Sequence, residues 1–132
     1  MNIAVVSESP ADEAAIKIIV DAIIGSESEL TTIRIRPNGW TKVFDLLPNI
    51  IKGLHYGTDV EALVVVVDSD DSPIHQNTHE AAQAKNLDCR LCRLRDTVRI
   101  AQGIVQDVPN RDALKTALGL AVPAMEAWYL VG

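Results

Sequence analysis

The sequence has few of the residues that mark several large classes of protein. Two cysteines among 132 residues are too few for a disulfide framework, so a reducing, cytoplasmic compartment is expected. The longest unbroken apolar stretch runs from Ala62 to Val67, far short of the roughly 20 residues that span a bilayer. The first residues lack the charged start and long apolar run of a signal peptide. Secretion and membrane insertion are therefore not expected.

Two kinds of nucleotide-binding pattern are also missing. The chain holds neither the glycine-rich dinucleotide fingerprint nor the Walker phosphate loop. Its aromatic residues, two Trp, two Tyr and one Phe, are too few for a platform on which single-stranded bases stack. Charged side chains are therefore the better candidates for a functional site.

Acidic residues outnumber basic ones, 18 to 12, which gives a formal net charge of −6. A chain of this sign does not coat a polyanion, so it would meet nucleic acid or a phosphorylated ligand through a local patch or a bridging metal. The charge is uneven: residues 59–80 hold six acids and no Lys or Arg, whereas residues 85–99 hold five bases and two acids. An acidic metal site beside a basic strip suits metal-assisted phosphoryl chemistry. A solvated surface of mixed sign explains the pattern equally well.

Apolar periodicity predicts strands and helices that alternate along the chain. Short apolar or β-branched runs predict strands at residues 3–6, 30–35, 62–67 and 89–94, and the third run is apolar throughout, as in a central parallel strand. Helices are predicted at residues 10–24, at 40–54 with a kink or split at Pro48, from Pro73 to about Lys85, at 111–118 and at 122–131. This order predicts one α/β domain over residues 1–132, a three-layer α/β/α fold around a mainly parallel four-stranded sheet.

Carboxylates follow two of the predicted strands. Glu8 comes directly after the first strand with Asp12 one helical turn later, and Asp68 and Asp70 follow the third strand. If the two strands are neighbours, these acids meet at the carboxyl edge of the sheet, where parallel sheets place their sites. Carboxylates that close repel one another, and a hard cation such as Mg²⁺ or Mn²⁺ relieves the repulsion. The alternative is that they only cap helices and face water.

Three segments carry motifs in a defined order. VVSESPAD (residues 5–12) is a predicted strand that ends in Glu, with an Asp four positions later. VVVVDSD (residues 64–70) is a predicted strand that ends in Asp-x-Asp, and VPAMEAWYL (residues 122–130) contains Glu-Ala-Trp. Together the three segments resemble TOPRIM domains of the OLD and RloB-like nuclease class and related uncharacterised TOPRIM families.

The resemblance implies a nuclease-type enzyme that hydrolyses phosphodiesters with one or two metal ions. It implies catalytic roles for Glu8, Asp68 and Asp70, and Mg²⁺ or Mn²⁺ ligation by Glu8, Asp12, Asp68, Asp70 and Glu126. Members of that class continue past the Glu-Ala-Trp segment. The chain is therefore expected to be shortened at its carboxyl end, or to work as a homodimer or with a larger partner subunit.

The charge pattern adds candidates for phosphate contacts, namely Arg93, Arg95 and His75. Cys89 and Cys92 have the Cys-x-x-Cys spacing and, with His75 and His79, can supply four zinc ligands. On the predicted strand, however, positions i and i+3 face opposite sides, so the two thiols are expected to diverge.

Two further functions stay open. The first is a TOPRIM-like domain that has lost catalysis and serves as a binding or assembly module. The second is a receiver-like phosphoacceptor domain, which has a similar length and an Asp at the end of its third strand, here Asp68. A receiver also has adjacent acids after its first strand, where this chain has a single Glu8 between serines.

Overall fold

Two apolar strands form the centre of the sheet. The computed structural model describes residues 1–8, 10–31, 39–70, 72–80 and 88–122. Its four strands pair in parallel in the order β2-β1-β3-β4, and they are β1 (Asn2–Val6), β2 (Glu29–Leu30), β3 (Ala62–Asp68) and β4 (Lys115–Ala121). Val6 pairs with Val65, and Asp68 pairs with Ala121. The carboxyl ends of β1 and β3 therefore lie side by side.

Helices cover both faces of this sheet. The three α-helices are α1 (Pro10–Ile24), α2 (Trp40–Gly57) and α3 (Arg90–Ile104), and a short 3-10 helix spans Asn77–Glu80. Ile16 of α1 packs with Ile3 and Val5 on one face, whereas α2 and α3 pack against Val65 and Val67 on the other. The predicted three-layer α/β/α fold with a parallel four-stranded sheet is confirmed.

Alternation along β3 explains why both faces are apolar. Leu63, Val65 and Val67 point toward α2 and α3, and all three are fully buried. Val64 and Val66 point toward α1, as the two-residue period of a strand requires. A strand covered on both sides has no place for polar side chains until it ends, and β3 ends at Asp68.

The helix α2 is continuous through Pro48, so the expected split does not occur. Proline removes one helical hydrogen bond, but Leu47, Ile50 and Ile51 are buried on either side of it. Packing of this apolar stripe therefore outweighs the local cost of the missing bond.

Three predictions of secondary structure are wrong. The helix expected from Pro73 is absent over residues 73–76, and a short 3-10 helix follows at Asn77–Glu80. Residues 89–94 do not form a strand, because Cys89 is the N-cap of α3 and the helix begins at Arg90. Residues 111–118 do not form a helix, because Lys115–Ala121 is β4. Short runs of Leu, Cys and Ala fit either period, and pairing with β3 decides the case of β4.

Some predictions fall on residues outside the described ranges. These are most of the second strand, the end of the helix predicted after Pro73, and the helix at residues 122–131 with its Glu126. None of the helices among the residues that the structure describes is both long enough and apolar enough to cross a bilayer.

Candidate functional site

The ends of β1 and β3 bring three carboxylates together. One carboxylate oxygen from each of Glu8, Asp68 and Asp70 lies within 4.8 Å of the others. The backbone N–H of Asp68 donates to Oε2 of Glu8 at 3.3 Å, which ties the two strand ends together. The side chain of Glu8 is 14% exposed and that of Asp70 is 49% exposed, so the cluster opens toward water on one side. We call these three residues the carboxylate cluster.

A tight turn places Asp70 in this cluster. Ser72 donates both its backbone N–H (2.8 Å) and its hydroxyl (2.6 Å) to the carbonyl of Ser69. Asp70, inside the turn, has φ of 45°, a left-handed conformation that Asp and Asn tolerate better than most residues.

A single guanidinium links the cluster to α3. Nη1 of Arg90 donates to the carbonyl of Asp68 at 2.6 Å and to Oδ2 of Asp70 at 3.2 Å, and it lies 3.9 Å from Oε1 of Glu8. The guanidinium also lies 4.3 Å from the ring centre of Trp40, at the start of α2. Sequence patterns did not single out Arg90, because only the helical start of α3 aims it at the strand ends.

The electrostatics of the cluster are those of crowded acids. Burial and the adjacent Asp68 carboxylate raise the pKa of Glu8 from 4.5 to about 7, and Asp70 adds to the effect. Arg90 offsets only part of this repulsion. Oxygen donors that repel one another and remain open to water fit a hard divalent cation, which keeps several waters of its own. Glu8, Asp68 and Asp70 would hold such an ion.

Other predicted site residues lie elsewhere. Asp12 is buried in the first turn of α1 and is not part of the carboxylate cluster. Arg93 lies over the Phe44 ring at 4.6 Å. Arg95 donates to both carboxylate oxygens of Glu80, at 2.9 and 2.8 Å. Among the described residues, Arg90 is a basic side chain that contacts the cluster, and the predicted phosphate contacts of Arg93, Arg95 and His75 stay predictions.

His75 belongs to a second group of side chains, together with His79, Cys89 and Cys92. One ligand atom from each of the four lies within 4.8 Å of the others. The expected divergence of the two thiols is wrong, because Cys89 is the N-cap of α3 and Cys92 lies in its first turn, so the two side chains lie on the same side of the helix start. We call these four residues the His/Cys cluster.

The surroundings of Cys89 in this cluster lower the pKa of its thiol. Burial raises its pKa, but the Cys92 backbone N–H and the side chains of His75, His79 and Cys92 more than offset this, and the pKa falls to about 7. A hydrogen bond to Glu80 raises the pKa of His75.

No family model, no curated protein and no solved structure matches this chain.

Proposed function

We propose that the chain is a Mg²⁺- or Mn²⁺-dependent, nuclease-type domain of TOPRIM-like class that hydrolyses phosphodiesters. The observation that carries the proposal is the meeting of Glu8, Asp68 and Asp70 at the adjacent carboxyl ends of β1 and β3, with Arg90 beside them. A bound divalent cation would polarise a phosphate oxygen and lower the pKa of a bound water. Nucleic acid or another phosphorylated ligand would be the substrate.

The three residues of the carboxylate cluster would have different roles, according to where each one lies. Asp68 and Asp70 would hold the cation, since one ends a central strand and the other lies in the turn that follows it. Glu8 would share in binding or accept the proton of the attacking water at a carboxylate oxygen. Without a cation the pKa of Glu8 is about 7, and a cation held by Asp68 and Asp70 would lower it, so that Glu8 would be ionised near neutral pH.

Arg90 would bring positive charge to the substrate. Its guanidinium lies next to the carboxylates of Glu8 and Asp70 and donates to the main-chain carbonyl of Asp68, at a place where a bound phosphodiester would add one more negative charge. A guanidinium binds phosphate with several parallel donors, so it both orients the group and offsets its charge. Ligation by Asp12 and Glu126, and phosphate contacts by Arg93, Arg95 or His75, stay predictions from the sequence.

A Mn²⁺ titration paired with a plasmid-nicking assay tests the proposal. Asp68→Asn/Asp70→Asn removes two charges from the cluster and is expected to abolish both binding and nicking. Asp107→Asn/Asp112→Asn is the matched control, because it makes the same chemical change at two exposed acids in the connection between α3 and β4. One molar equivalent of Zn²⁺ per chain in all samples keeps Mn²⁺ from the softer His/Cys donors and leaves no excess Zn²⁺ to compete at the carboxylates. Mn²⁺ binding that survives the Asp68/Asp70 change would overturn the site.

The Mn²⁺ titration and the nicking assay, together with a measurement of beryllofluoride uptake, distinguish the two alternatives. Mn²⁺ binding without nicking supports a binding or assembly module that has lost catalysis. Uptake of beryllofluoride that depends on Asp68 supports a receiver-like phosphoacceptor, in which that aspartate is the acceptor. Nicking that depends on Asp68 and Asp70, with no beryllofluoride uptake, supports hydrolysis.

A further inference from the structure

The His/Cys cluster has the dimensions of a four-ligand metal site. Nδ1 of His75 lies 3.4 Å from Sγ of Cys89 and 3.5 Å from Sγ of Cys92. Around a tetrahedral zinc ion with ordinary Zn–S and Zn–N bonds, nitrogen and sulfur ligands are about 3.5 Å apart. The three atoms therefore already have the separation that a shared ion requires.

Local structure holds the four donors in place. Cys89 is the N-cap of α3 and Cys92 lies in its first turn, so the two thiols share one face of the helix start. Both cysteines are buried, at 0% and 4% exposure, and they form no disulfide. His79 lies in the 3-10 helix, and its ring contacts that of His75 with centres 5.2 Å apart.

The outer contacts of His75 are those of a ligating histidine. Nε2 of His75 is bound to Oε1 of Glu80 at 2.5 Å, which leaves Nδ1 facing the thiols. Glu80 is fixed in turn by Arg95. The backbone N–H of Gln76 donates to Nδ1 of His79 at 3.4 Å, a long hydrogen bond that zinc ligation by His79 would break, because a neutral imidazole that accepts at one nitrogen carries its proton on the other. A carboxylate behind a histidine ligand orients the ring and fixes its tautomer.

We propose that His75, His79, Cys89 and Cys92 bind one Zn²⁺ ion in a closed, structural site. Two sulfur and two nitrogen donors in a tetrahedral arrangement favour zinc over the hard cations that the carboxylate cluster suits. The protein fills all four positions, so no place remains for a reacting water. Binding replaces the proton of each thiol with the metal ion and releases those protons to solvent.

The ion would join two segments that flank the carboxylate cluster. His75 and His79 belong to the segment after Asp70, and Cys89 and Cys92 enclose Arg90 in sequence. A metal ion that joins these two segments would restrict the positions that Asp70 and Arg90 can take relative to each other. The proposed zinc site would therefore position Arg90, whose guanidinium contacts the carboxylates of Glu8 and Asp70.

Cobalt substitution of the full chain tests the proposal. We expect one Co²⁺ per chain, with thiolate-to-cobalt absorption in the near ultraviolet and the strong visible bands of a tetrahedral ion, both removed by equimolar Zn²⁺. Cys89→Ser/Cys92→Ser is expected to lose the thiolate bands. Asp68→Asn/Asp70→Asn is expected to keep them, which makes this test independent of the proposed hydrolysis.

A variant that keeps all four donors distinguishes weaker zinc binding from loss of folding. Glu80→Gln removes only the charge behind His75 and is expected to weaken Zn²⁺ affinity by about 10- to 100-fold. Glu29→Gln, the same change at an exposed glutamate of β2, is expected to leave affinity unchanged. Octahedral Co²⁺ bands without thiolate absorption would overturn the proposal. So would thiols that react equally fast with and without Zn²⁺, since these would be hydrogen-bonded thiols only.

Discussion

The carboxylate cluster and the His/Cys cluster are neighbours with opposite chemistry. The first consists of three oxygen donors that repel one another and open to water, and the second of sulfur and nitrogen donors that are largely enclosed. The first lies at the ends of two strands, and the second joins a loop to a helix start. Under the two proposals, an exchangeable cation at the first cluster would serve chemistry and an enclosed ion at the second would serve structure.

The first turn of α3 contributes to both clusters. Arg90 contacts the carboxylates, while Cys89 and Cys92 on either side of it face the histidines. The two clusters are therefore mechanically linked through one helix start, although they share no ligand. Any coupling would be reciprocal: the factor by which Zn²⁺ at the His/Cys cluster would change Mn²⁺ affinity at the carboxylate cluster is also the factor by which Mn²⁺ would change Zn²⁺ affinity.

The largest expected effect is the loss of the enclosed ion. Cys92→Ser, or zinc removal by a chelator, should lower the free energy of unfolding by several kcal/mol, because metal binding free energy is folding free energy. Nicking should fall as well, because Arg90 would no longer be held beside the carboxylates. Urea unfolding followed by circular dichroism, with and without Zn²⁺, measures the effect on stability. Asp68→Asn/Asp70→Asn, measured without Mn²⁺, should leave Zn²⁺ affinity unchanged, because neither residue would be a Zn²⁺ ligand; a similar loss there would contradict two separate sites.

A stability change away from both clusters sharpens the comparison. The Arg111 guanidinium, at the amino end of β3, donates to the carbonyls of Leu54, His55, Thr58 and Val60. Arg111→Ala should lower the free energy of unfolding by about 2–4 kcal/mol, because these carbonyls lose a charged donor. Zn²⁺ and Mn²⁺ affinities of the folded protein should not change.

Arg99→Ala provides the control for the loss of an arginine. Arg99 pairs with Asp96 on the surface and its side chain is 71% exposed, so its removal should change stability by less than about 0.5 kcal/mol. If Arg111→Ala has an equally small effect, the carbonyl contacts do not stabilise this end of the sheet.

Arg90→Met tests the residue that links the clusters. Loss of the bond to the Asp68 carbonyl and of the contact with Trp40 should lower the free energy of unfolding by about 1–2 kcal/mol. Mn²⁺ affinity should hold or rise, because a competing positive charge is gone, whereas nicking should fall sharply. Calorimetry and the nicking assay measure the two results. Nicking that follows Mn²⁺ affinity would show that Arg90 does not act on the substrate.

The smallest expected effect is a pH dependence of stability. The pKa of Glu8 is about 7 in the folded protein against 4.5 ordinarily, so ionisation of Glu8 opposes folding. The cost is absent below about pH 4.5, grows as pH rises, and is complete above about pH 7. In a chelator, Glu8→Gln should therefore raise the melting temperature by a few degrees at about pH 8 and leave it unchanged at about pH 4. Glu29→Gln controls for the loss of one charge.

The fold and part of the site could be predicted because β3 is unambiguous. A seven-residue segment that is apolar until Asp68 is typical of a central parallel strand. Because β1 lies beside it, the carboxyl ends of the two strands bring Glu8 close to Asp68. β4 was missed because Lys115–Ala121 is rich in Ala and Leu, which fit either a helix or a half-buried outer strand. Only its pairing with β3 distinguishes the two.

The His/Cys cluster is hard to predict from the sequence for a related reason. Its four residues were named together from the sequence, but the assignment of residues 89–94 to a strand separated the thiols. In a helix start, the Cys-x-x-Cys spacing brings the two thiols to the same side. Cys89 is the N-cap of α3 but makes no side-chain capping hydrogen bond, so the sequence holds no ordinary N-cap signal at this position. Arg90 carried no signal of its own, because its role depends on where that helix begins.

The contact between Arg90 and Trp40 has a practical consequence. The chain contains two tryptophans, and one of them lies 4.3 Å from the guanidinium that touches the carboxylate cluster and follows Cys89 in the chain. The indole is therefore a built-in fluorophore at the junction of the two clusters. Movement of that guanidinium, or a paramagnetic ion such as Mn²⁺ or Co²⁺ nearby, should change its emission. Trp40→Phe should abolish the response, which gives each ion an optical signal without any attached label.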